Sequence, residues 1–333
     1  MPTSVVRLSD LQPGQWSDCF ALLAEKDRGK TRDGKPYYRV TFRDGRREVS
    51  FPIWHDSPVA TSCRDDWVPG EFYKIRAVYR ETNFGPILDI RRIRPITQKD
   101  FEDGFEPQMC LPHSRFEPQG MFAELLDIVG KYIEDEGLRS LVTTIMLENE
   151  EPLLRYPAAQ RNHHAFAGGY LEHVLNVTHT ASFLAERYAK LYPDMSPPLN
   201  LGLVVAGAVL HDIGKLQELD QSPLGTEYTP IGNLIGHILL GRDMVREAAK
   251  NAAIDIDEEL LLRLEHIIVS HQRLPEWGAP KPPMTPEALL VHYADDSDAK
   301  FQIMYTILRD STGQGHTTST RNALGQKVYR GPS

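Results

Sequence analysis

Seven residues in the second half of the chain could together hold metal ions. Nine of the twelve histidines fall between His163 and His292, and one of them is followed directly by an aspartate. The candidates are His173, His211, Asp212, His237, His266, His271 and Asp295. Neutral imidazole and carboxylate together favour Mn, Fe, Co, Ni or Zn over Ca, which prefers oxygen ligands. The pattern predicts a site for divalent transition metals, with Mn²⁺ the first candidate, in which an aspartate beside a histidine can bridge two ions.

The segment before His211 indicates why these side chains need a partner. Leu201–Leu210 is apolar, is interrupted only by Gly202 and Gly207, and ends in His211-Asp212. Burying such polar groups without partners is costly, and metal ions satisfy them. The competing interpretation is that a lone histidine near an apolar face is more often a hydrogen-bonded core or surface residue, and we assign to that class His179, His292 and His316.

Two of the candidate histidines are separated by an awkward spacing. His266 and His271 are five residues apart, which places them about 140° apart around an ideal helix. Both point inward only if the helix ends or bulges between them. His271 is therefore the stronger candidate ligand and His266 the weaker one.

Helices must position these residues. The apolar spacing of Phe122, Leu125, Val129 and Ile133 predicts a helix beginning soon after residue 118. Further helices are predicted over Leu171–Tyr192, Leu199–Leu210, Leu234–Asn251, Glu258–Ser270 and Thr285–Leu308. The region 119–310 is thus expected to be an all-α helical bundle whose core collects the candidate ligands.

The first 97 residues show the period of strands instead. Tyr38, Val40 and Phe42 alternate with polar residues, the Asp44-Gly45 pair marks a hairpin, and Glu48–Trp54 alternates again. About five strands in under 100 residues favour a small barrel, most simply an OB-fold. The predicted fold class is multidomain β + α: a barrel over 1–97, a linker over 98–118, the helical bundle over 119–310, and a tail over 311–333.

Composition excludes several other classes of protein. The chain is 41% hydrophobic and 25% charged, which is typical of globular proteins and not of disordered, collagen-like or coiled-coil chains. No apolar run approaches the roughly 20 residues of a membrane helix, and the N-terminus lacks the pattern of a secretory signal. Three scattered cysteines form no pair spacing, so we expect a cytoplasmic protein.

The order of the candidate ligands resembles a known superfamily. A histidine (His173), then His211-Asp212, then a distant aspartate (Asp295) is similar to the HD superfamily of metal-dependent phosphohydrolases, and HDIGK stands at 211–215. The two intervening histidines resemble its binuclear branch. The resemblance implies that His237 and His271 serve a second ion, bridged to the first by Asp212.

Longer motifs narrow the resemblance. HHAFAGGYLEHVLNV (163–177), GAVLHDIGKLQEL (207–219) and LIGHILLG (234–241) closely resemble the YhaM-type bacterial 3′-to-5′ exoribonucleases, which place an OB-fold ahead of an HD domain. This implies hydrolysis of single-stranded RNA to nucleoside 5′-monophosphates, with single-stranded DNA a further candidate substrate, and a homo-oligomer. One departure is Gln272, which stands where a second histidine is expected after His271 and bears on the second ion's ligand set.

Further roles can be assigned on this basis, each with a plainer alternative. Lys215 could stabilise charge on a phosphate, or be a surface lysine. Arg161, His163 and His164 precede the first ligand and could hold the nucleotide phosphate. On the barrel, RNA contacts are predicted for Tyr37, Arg39, Trp54 and Arg76. Aromatic residues at period two are, however, more often core residues.

Two other functions compete with an exoribonuclease. One is an HD phosphohydrolase acting on nucleotides or cyclic dinucleotides, although the GYP-type signature of cyclic-dinucleotide phosphodiesterases is not apparent. The other is a nucleic-acid-binding regulatory module with a structural metal site. Retention of the whole ligand set and of Lys215 favours the enzyme. Residues 1–100 carry 18 Lys and Arg against 14 Asp and Glu, in keeping with moderate, salt-sensitive binding of RNA.

Overall fold

The computed structural model describes residues 5–31, 33–82, 85–160, 163–222, 225–252, 254–310, 315–320 and 322–332. The chain divides into two compact units: the first is Met1–His113 together with the short segment Ser222–Gly225, and the second is Ser114–Gln221 with Thr226–Ser333. The domain limits inferred from the sequence stay predictions. Over the described ranges, no helix joins the length and the apolar character that crossing a bilayer requires.

A six-stranded sheet forms the first unit. Its strands are β1 (Val6–Arg7), β2 (Trp16–Lys30), β3 (Pro36–Arg43), β4 (Glu48–Trp54), β5 (Phe72–Thr82) and β6 (Gly85–Pro95). A short helix, α1 (Ala60–Asp65), lies between β4 and β5. The short β1 runs parallel to β2, and the other pairings are antiparallel.

The long strand β2 closes this sheet into a barrel. Trp16–Leu22 pairs with β5, whereas Leu22–Lys30 pairs with β3. The resulting order β4-β3-β2-β5-β6 leaves β4 and β6 at the two ends, and these two strands come into contact. A five-stranded sheet that curls until its end strands meet is an OB-fold barrel. The predicted fold of the first domain is confirmed.

Alternation along the strands sorts the side chains as expected. Val40 and Phe42 of β3 pack in the barrel core with Val49, Phe51 and Ile53 of β4, all at most 5% exposed. Their neighbours along β3 and β4 point outward, because successive side chains of a strand point to opposite faces. The sequence pattern therefore distinguishes the core residues from those that remain available for a ligand.

The stretch after β6 packs against the barrel. It contains α2 (Gln98–Glu102) and a 3-10 turn at Pro107–Cys110. Phe105 and Cys110 are buried against Phe20 and Leu22, which lie on the side of β2 that faces away from the barrel core. Much of the stretch predicted as a linker thus completes the packing of the first unit.

The described residues contain twelve α-helices. The short α1 and α2 belong to the first unit, and the other ten follow residue 113. Those of the second unit are α3 (Pro118–Tyr132), α4 (Glu136–Glu148), α5 (Glu150–Arg155), α6 (Gly169–Leu191), α7 (Leu201–Leu210), α8 (Lys215–Glu218), α9 (Pro230–Ile235), α10 (His237–Asn251), α11 (Glu258–Ser270) and α12 (Pro286–Asp310). A small hairpin, β7 (Leu219–Ser222) and β8 (Gly225–Tyr228), interrupts them.

The apolar helix α7 lies at the centre of this bundle. Every residue from Gly202 to Leu210 is buried, and α7 packs against α6, α11 and α12. A helix that is apolar on all sides is stable only when surrounded by others. Its central position brings the residues that follow it, His211 and Asp212, into the core of the bundle.

One predicted helix is divided in two. The expected helix Leu234–Asn251 is broken at Gly236, where φ is 80°. Only glycine adopts such a conformation readily, so α9 ends at Ile235 and α10 begins at His237. The break makes His237 the first residue of a helix, with its backbone N–H free to bond outside the helix.

The described part of the tail is folded. Thr317 and Tyr329 form an isolated antiparallel bridge, and the backbone N–H of Thr318 donates to the carbonyl of Val328 at 2.9 Å. The side chain of Val328 is buried.

A glycine at the contact between α7 and α11 provides a test of this packing. A Cβ on Gly207 would lie 2.6 Å from Cγ2 of the buried, β-branched Ile267, so we expect Gly207→Ala to lower the free energy of unfolding by about 1–3 kcal/mol. The matched control is Gly130→Ala on α3, where nothing lies within 4 Å of the new Cβ; it should be neutral or stabilise by up to about 1 kcal/mol. Urea unfolding measures both, and equal effects would contradict the packing.

Candidate metal centre

Five helices of the second unit deliver the predicted ligands to one place. His173 lies on α6 and Asp295 on α12. His237 begins α10, while His211 and His271 immediately follow the ends of α7 and α11. Because these helices pack around a common core, ligands far apart in sequence meet there.

The ends of α7 and α11 orient two of the imidazoles. Nδ1 of His211 lies 2.8 Å from the carbonyl oxygen of Ala208, and Nδ1 of His271 lies 2.7 Å from that of Ile268. A carbonyl can only accept a hydrogen bond, so each Nδ1 carries a proton, and in the neutral imidazole Nε2 then keeps its lone pair. Both rings are fully buried, and both present Nε2 to the cluster.

Carboxylates orient the other two imidazoles in the same way. Nδ1 of His173 lies 2.7 Å from Oδ2 of Asp298, and Nδ1 of His237 lies 3.0 Å from Oε1 of Glu218. The backbone N–H of His237 donates to the same Glu218 oxygen at 2.8 Å. Hydrogen bonds of this kind fix the tautomer of a metal-ligating histidine and raise its basicity.

The four Nε2 atoms divide between the two oxygens of Asp212. Oδ2 lies 3.5 Å from Nε2 of His173 and 3.4 Å from that of His211. Oδ1 lies 3.4 Å from Nε2 of His237 and 3.5 Å from that of His271. One carboxylate thus stands between two pairs of imidazoles, which is the position that a bridging ligand requires.

The remaining predicted aspartate completes the first group. Oδ1 of Asp295 lies 3.3 Å from Nε2 of His173 and 3.9 Å from Nε2 of His211. Among the described residues, the two candidate ligand groups are therefore His173, His211 and Asp295 on one side, and His237 and His271 on the other, with Asp212 between them. A third cluster, His164, His173 and Asp298, shares His173 with the first.

The contacts in the cluster fit cations. Nε2 of His173 and Nε2 of His211 lie 3.3 Å apart, which places both within reach of one ion. Oδ1 of Asp212 and Nε2 of His271 are buried without a hydrogen-bond partner, which is costly unless something else satisfies them. Nitrogen and carboxylate ligands together suit a divalent transition metal.

Burial and neighbouring charges also shift the pKa values of residues in the cluster. Burial on its own would raise the pKa of Asp212, but Lys215 and a neighbouring histidine hold that pKa well below its usual value. The Lys215 ammonium lies 2.6 Å from Oδ2 of Asp212. Burial lowers the pKa of His271, so this ring is neutral at pH 7. Burial alone would lower the pKa of His173, but Asp212, Asp295 and Asp298 raise it well above its usual value. The carboxylates of the cluster therefore attract positive charge.

The structure leaves one predicted ligand outside both groups. Nε2 of His266 accepts a hydrogen bond from the backbone N–H of Met284 at 2.9 Å. Because α11 ends at Ser270, His271 turns into the core while His266 stays on another face of the helix. The awkward spacing is thus resolved by the end of the helix.

The predicted phosphate-binding residues lie beside the first ligand group. His164 is 2% exposed, has a φ of 47°, and its Nε2 lies 3.0 Å from Oδ2 of Asp298. The ring of His163 is centred 5.4 Å from that of His173, and burial, with Lys215 and His173 nearby, lowers the pKa of His163 to about 3. Arg161 lies outside the described residues.

On the barrel, three of the four predicted RNA contacts share one face. Tyr37 and Trp54 are paired across β3 and β4, with ring centroids 5.2 Å apart, and Trp54 is 46% exposed. Arg39 lies on the same side, where its Nε donates to the hydroxyl of Ser50 at 3.3 Å. Arg76 lies on β5, away from this pair of strands.

Known proteins resemble this chain in sequence over both of its units. The family model described as HD domain matches residues 170–300. Over 326 residues, and 96% of each chain, the sequence is 31% identical to the 3′-5′ exoribonuclease YhaM of Bacillus subtilis (strain 168). The protein of that name from Bacillus licheniformis is 32% identical over 330 residues, again 96% of each chain.

The chain belongs to the YhaM family. The match spans both units, so it covers the barrel and the helical bundle together. The resemblance seen in the sequence motifs is confirmed, and so is the order of an OB-fold followed by an HD domain.

Solved structures add a weaker likeness for the barrel of this YhaM-family chain. A domain of replication protein A from Methanococcus maripaludis covers 28% of the chain at 11% identity with a TM-score of 0.23. The second OB-fold domain of that protein covers 28% at 13% identity with a TM-score of 0.22. Both TM-scores are low, and the barrel is identified as an OB-fold by its strand order.

Sequence reasoning missed the two carboxylates that orient imidazoles in this YhaM-family chain. Asp298 follows Asp295 by one helical turn, a spacing that places both on one face of α12. Glu218 stands at the end of α8, and nothing in its local sequence distinguishes it. Gln272, flagged as a departure, places Nε2 3.4 Å from Nε2 of His237, so its amide adjoins the second ligand group.

These carboxylates offer a test of the metal centre that does not require activity. We expect Glu218→Gln and Asp298→Asn each to weaken binding of Mn²⁺ by about 10- to 100-fold, because a neutral amide is a weaker acceptor than a carboxylate and no longer raises the basicity of the imidazole. Isothermal titration of the metal-stripped protein measures the affinity. Glu247→Gln, an exposed position on α10, is the control and should bind as the parent does. Parental affinity in both site variants would refute their role.

Proposed function

We propose that this protein removes nucleotides from the 3′ end of single-stranded RNA by metal-dependent hydrolysis, releasing nucleoside 5′-monophosphates. The observation that carries the proposal is one buried carboxylate, Asp212, with a pair of imidazole Nε2 atoms on each oxygen. Relatives over 96% of the chain bear the name 3′-5′ exoribonuclease, which supports the substrate and the direction.

The ligand set suits two ions. His173, His211 and Asp295 would hold one, His237 and His271 the other, and Asp212 both. When bound, divalent ions supply Lewis-acid activation of a water molecule and neutralise charge on the phosphoryl oxygens.

The chain's own residues supply orientation and charge. Asp212 and the hydrogen-bonded imidazoles are held rigid by burial, so the site needs little rearrangement when substrate arrives. Lys215 uses one of its three donors on Asp212, which leaves donors for a phosphoryl oxygen. His163 and Arg161, just before the first ligand, are proposed to contact the terminal nucleotide.

Further aspects of the proposal rest on chemistry. Mn²⁺ is proposed as the physiological ion because nitrogen and carboxylate ligands suit it. A cytoplasmic location is supported by three buried free cysteines, Cys19, Cys63 and Cys110. Assembly into a homo-oligomer, and action on DNA, stay predictions.

The barrel is proposed to hold the RNA strand. Tyr37 and Trp54 form an exposed aromatic pair on β3 and β4, the two strands whose outer face serves as the ligand face in OB-folds. Arg39 on the same face adds positive charge. Aromatic stacking with a neighbouring cation suits single strands regardless of base sequence.

The central test uses RNA labelled at its 5′ end. With Mn²⁺ we expect a ladder that shortens from the 3′ end, with nucleoside 5′-monophosphates as products. Asp212→Ala should reduce the rate at least about a thousandfold, because it removes the residue shared by both ligand groups and several kcal/mol of stabilisation with it. EDTA should abolish the ladder.

The control for this test is Asp127→Ala, which removes an exposed aspartate from α3 and should keep the parental rate. Intact RNA with the parent protein, or internal cleavage without a ladder, would overturn the proposal. Hydrolysis of mononucleotides or cyclic dinucleotides in place of RNA would favour the competing phosphohydrolase.

A second prediction concerns the aromatic pair. Trp54→Ala should weaken binding of single-stranded RNA by roughly 5- to 150-fold, since one base loses a stacking contact of about 1–3 kcal/mol. Fluorescence anisotropy measures the affinity. Phe183→Ala removes another exposed aromatic ring, 68% exposed on α6, and is expected to have no effect. Equal binding by the two variants would contradict the assigned face.

A further inference from the structure

The outer face of β5 and β6 carries two cross-strand pairs of like charge. Lys74 stands opposite Arg94, and Arg76 stands opposite Arg92. Like charges directly opposite each other destabilise an antiparallel pair. Each of these pairs therefore requires negative charge close by.

The first pair has this negative charge within the barrel unit. The Arg94 guanidinium binds both carboxylate oxygens of the buried Asp100, at 2.6 and 2.7 Å. Lys74 lies 3.2 Å from the same carboxylate and 3.1 Å from Asp103. The positive charge of this pair is neutralised in place.

The second pair is not neutralised. Arg76 has only Asp18, with 3.8 Å between Nε and the carboxylate oxygen. Arg92 is exposed, and among the described residues it has neither an ion-pair partner nor a side-chain hydrogen bond. Two guanidinium groups thus lie side by side, and the one carboxylate near them, on β2, is on the side of Arg76 away from Arg92.

These arginines line a cleft of about 610 Å³ next to α1. Half of its ten lining residues are lysine or arginine, against one aspartate. Arg91 lies in the wall, and its guanidinium is stacked 4.3 Å above the ring of Trp16, which holds it in position. The cleft is therefore a preorganised basic surface.

We propose that this cleft is a second RNA-binding surface of the barrel, which takes phosphates of a single strand through Arg76 and Arg92. The inference rests on the proposed function for the identity of the polyanion. Guanidinium groups bind phosphate oxygens in a bidentate manner. The cleft offers charge and few exposed apolar anchors, which suits a phosphate backbone better than a protein partner.

The two barrel surfaces then have different chemistry. The β3–β4 face stacks on bases through Tyr37 and Trp54, whereas the β5–β6 cleft binds phosphates through Arg76 and Arg92. Removing the arginines of the cleft should therefore change the salt dependence of RNA binding. Removing the aromatic pair should leave that salt dependence unchanged.

The experiment measures binding of a labelled oligouridine of about 20 nucleotides, a length suited to single-strand sites, at several salt concentrations. The full chain carries Asp212→Ala throughout, so the result does not depend on cleavage. In Arg76→Gln/Arg92→Gln we expect the affinity near 0.1 M salt to fall about tenfold and the log–log salt slope to decrease by about 1.4, for two phosphates on a single strand. Asp18→Asn should tighten binding about two- to threefold because it removes the competing carboxylate.

Two controls separate the cleft from net charge and from misfolding. Arg187→Gln/Lys190→Gln removes the same charge from exposed positions on α6 and should keep the parental slope. Arg92→Gln alone should melt at the parental temperature or above, because it relieves a like-charge pair.

Several results would overturn the proposal: an unchanged slope in the double arginine variant, weaker binding by Asp18→Asn, or a lower melting temperature for Arg92→Gln. Displacement of the RNA by polyglutamate of equal charge, as effective as displacement by unlabelled RNA, would instead assign the cleft to an acidic protein.

Discussion

A carboxylate charge buried in the helical bundle governs the arrangement around it. Asp212 is 1% exposed, and an ionised carboxylate in such a place is costly unless cations and hydrogen-bond donors surround it. Among the residues that the structure describes, Lys215 is the one lysine or arginine in contact with it. Each of the four imidazoles that face its two oxygens is hydrogen-bonded elsewhere through Nδ1, which leaves Nε2 directed at Asp212 and suited to an ion. The same arrangement therefore surrounds the Asp212 carboxylate and provides the candidate ligands for metal ions.

Helix ends meet this demand with little extra structure. The last carbonyls of a helix lack partners within it, and near the ends of α7 and α11 one such carbonyl accepts a hydrogen bond from Nδ1 of the following histidine. At the start of α10 the orphaned N–H of His237 and its Nδ1 share one oxygen of Glu218. The backbone groups that a helix cannot satisfy itself thus orient the side chains that need orientation. The orientation of these three imidazoles is therefore set by the positions of the helix ends.

In the barrel the core is apolar and the charged side chains lie on the outside, unlike the buried charges of the helical bundle. Its inward residues form an apolar core, while its outward residues separate into an aromatic pair on β3–β4 and arginines on β5–β6. Neighbouring Lys74 and Arg94 show that the fold can neutralise such a pair with a buried aspartate. Arg76 and Arg92 lack an equivalent buried partner among the described residues. This difference within one pair of strands separates charge that is neutralised inside the fold from charge available to a polyanion.

Local patterns in the sequence were sufficient for the elements and for most ligands. The periodicity of Glu258–Ser270 predicted α11 with the bounds that the structure has, and the alternation of Glu48–Trp54 did the same for β4, because burial of one face leaves its period in the chain. The apolar run before His211-Asp212 likewise predicted a buried polar site. The choice between His266 and His271 needed the end of α11, and the division of Leu234–Asn251 needed the backbone at Gly236. Other features depend on segments distant in sequence coming together, so only the tertiary structure decided them: the partners Asp298 and Glu218, the packing of Phe105 on Phe20, and the lack of an ion-pair partner for Arg92 among the described residues.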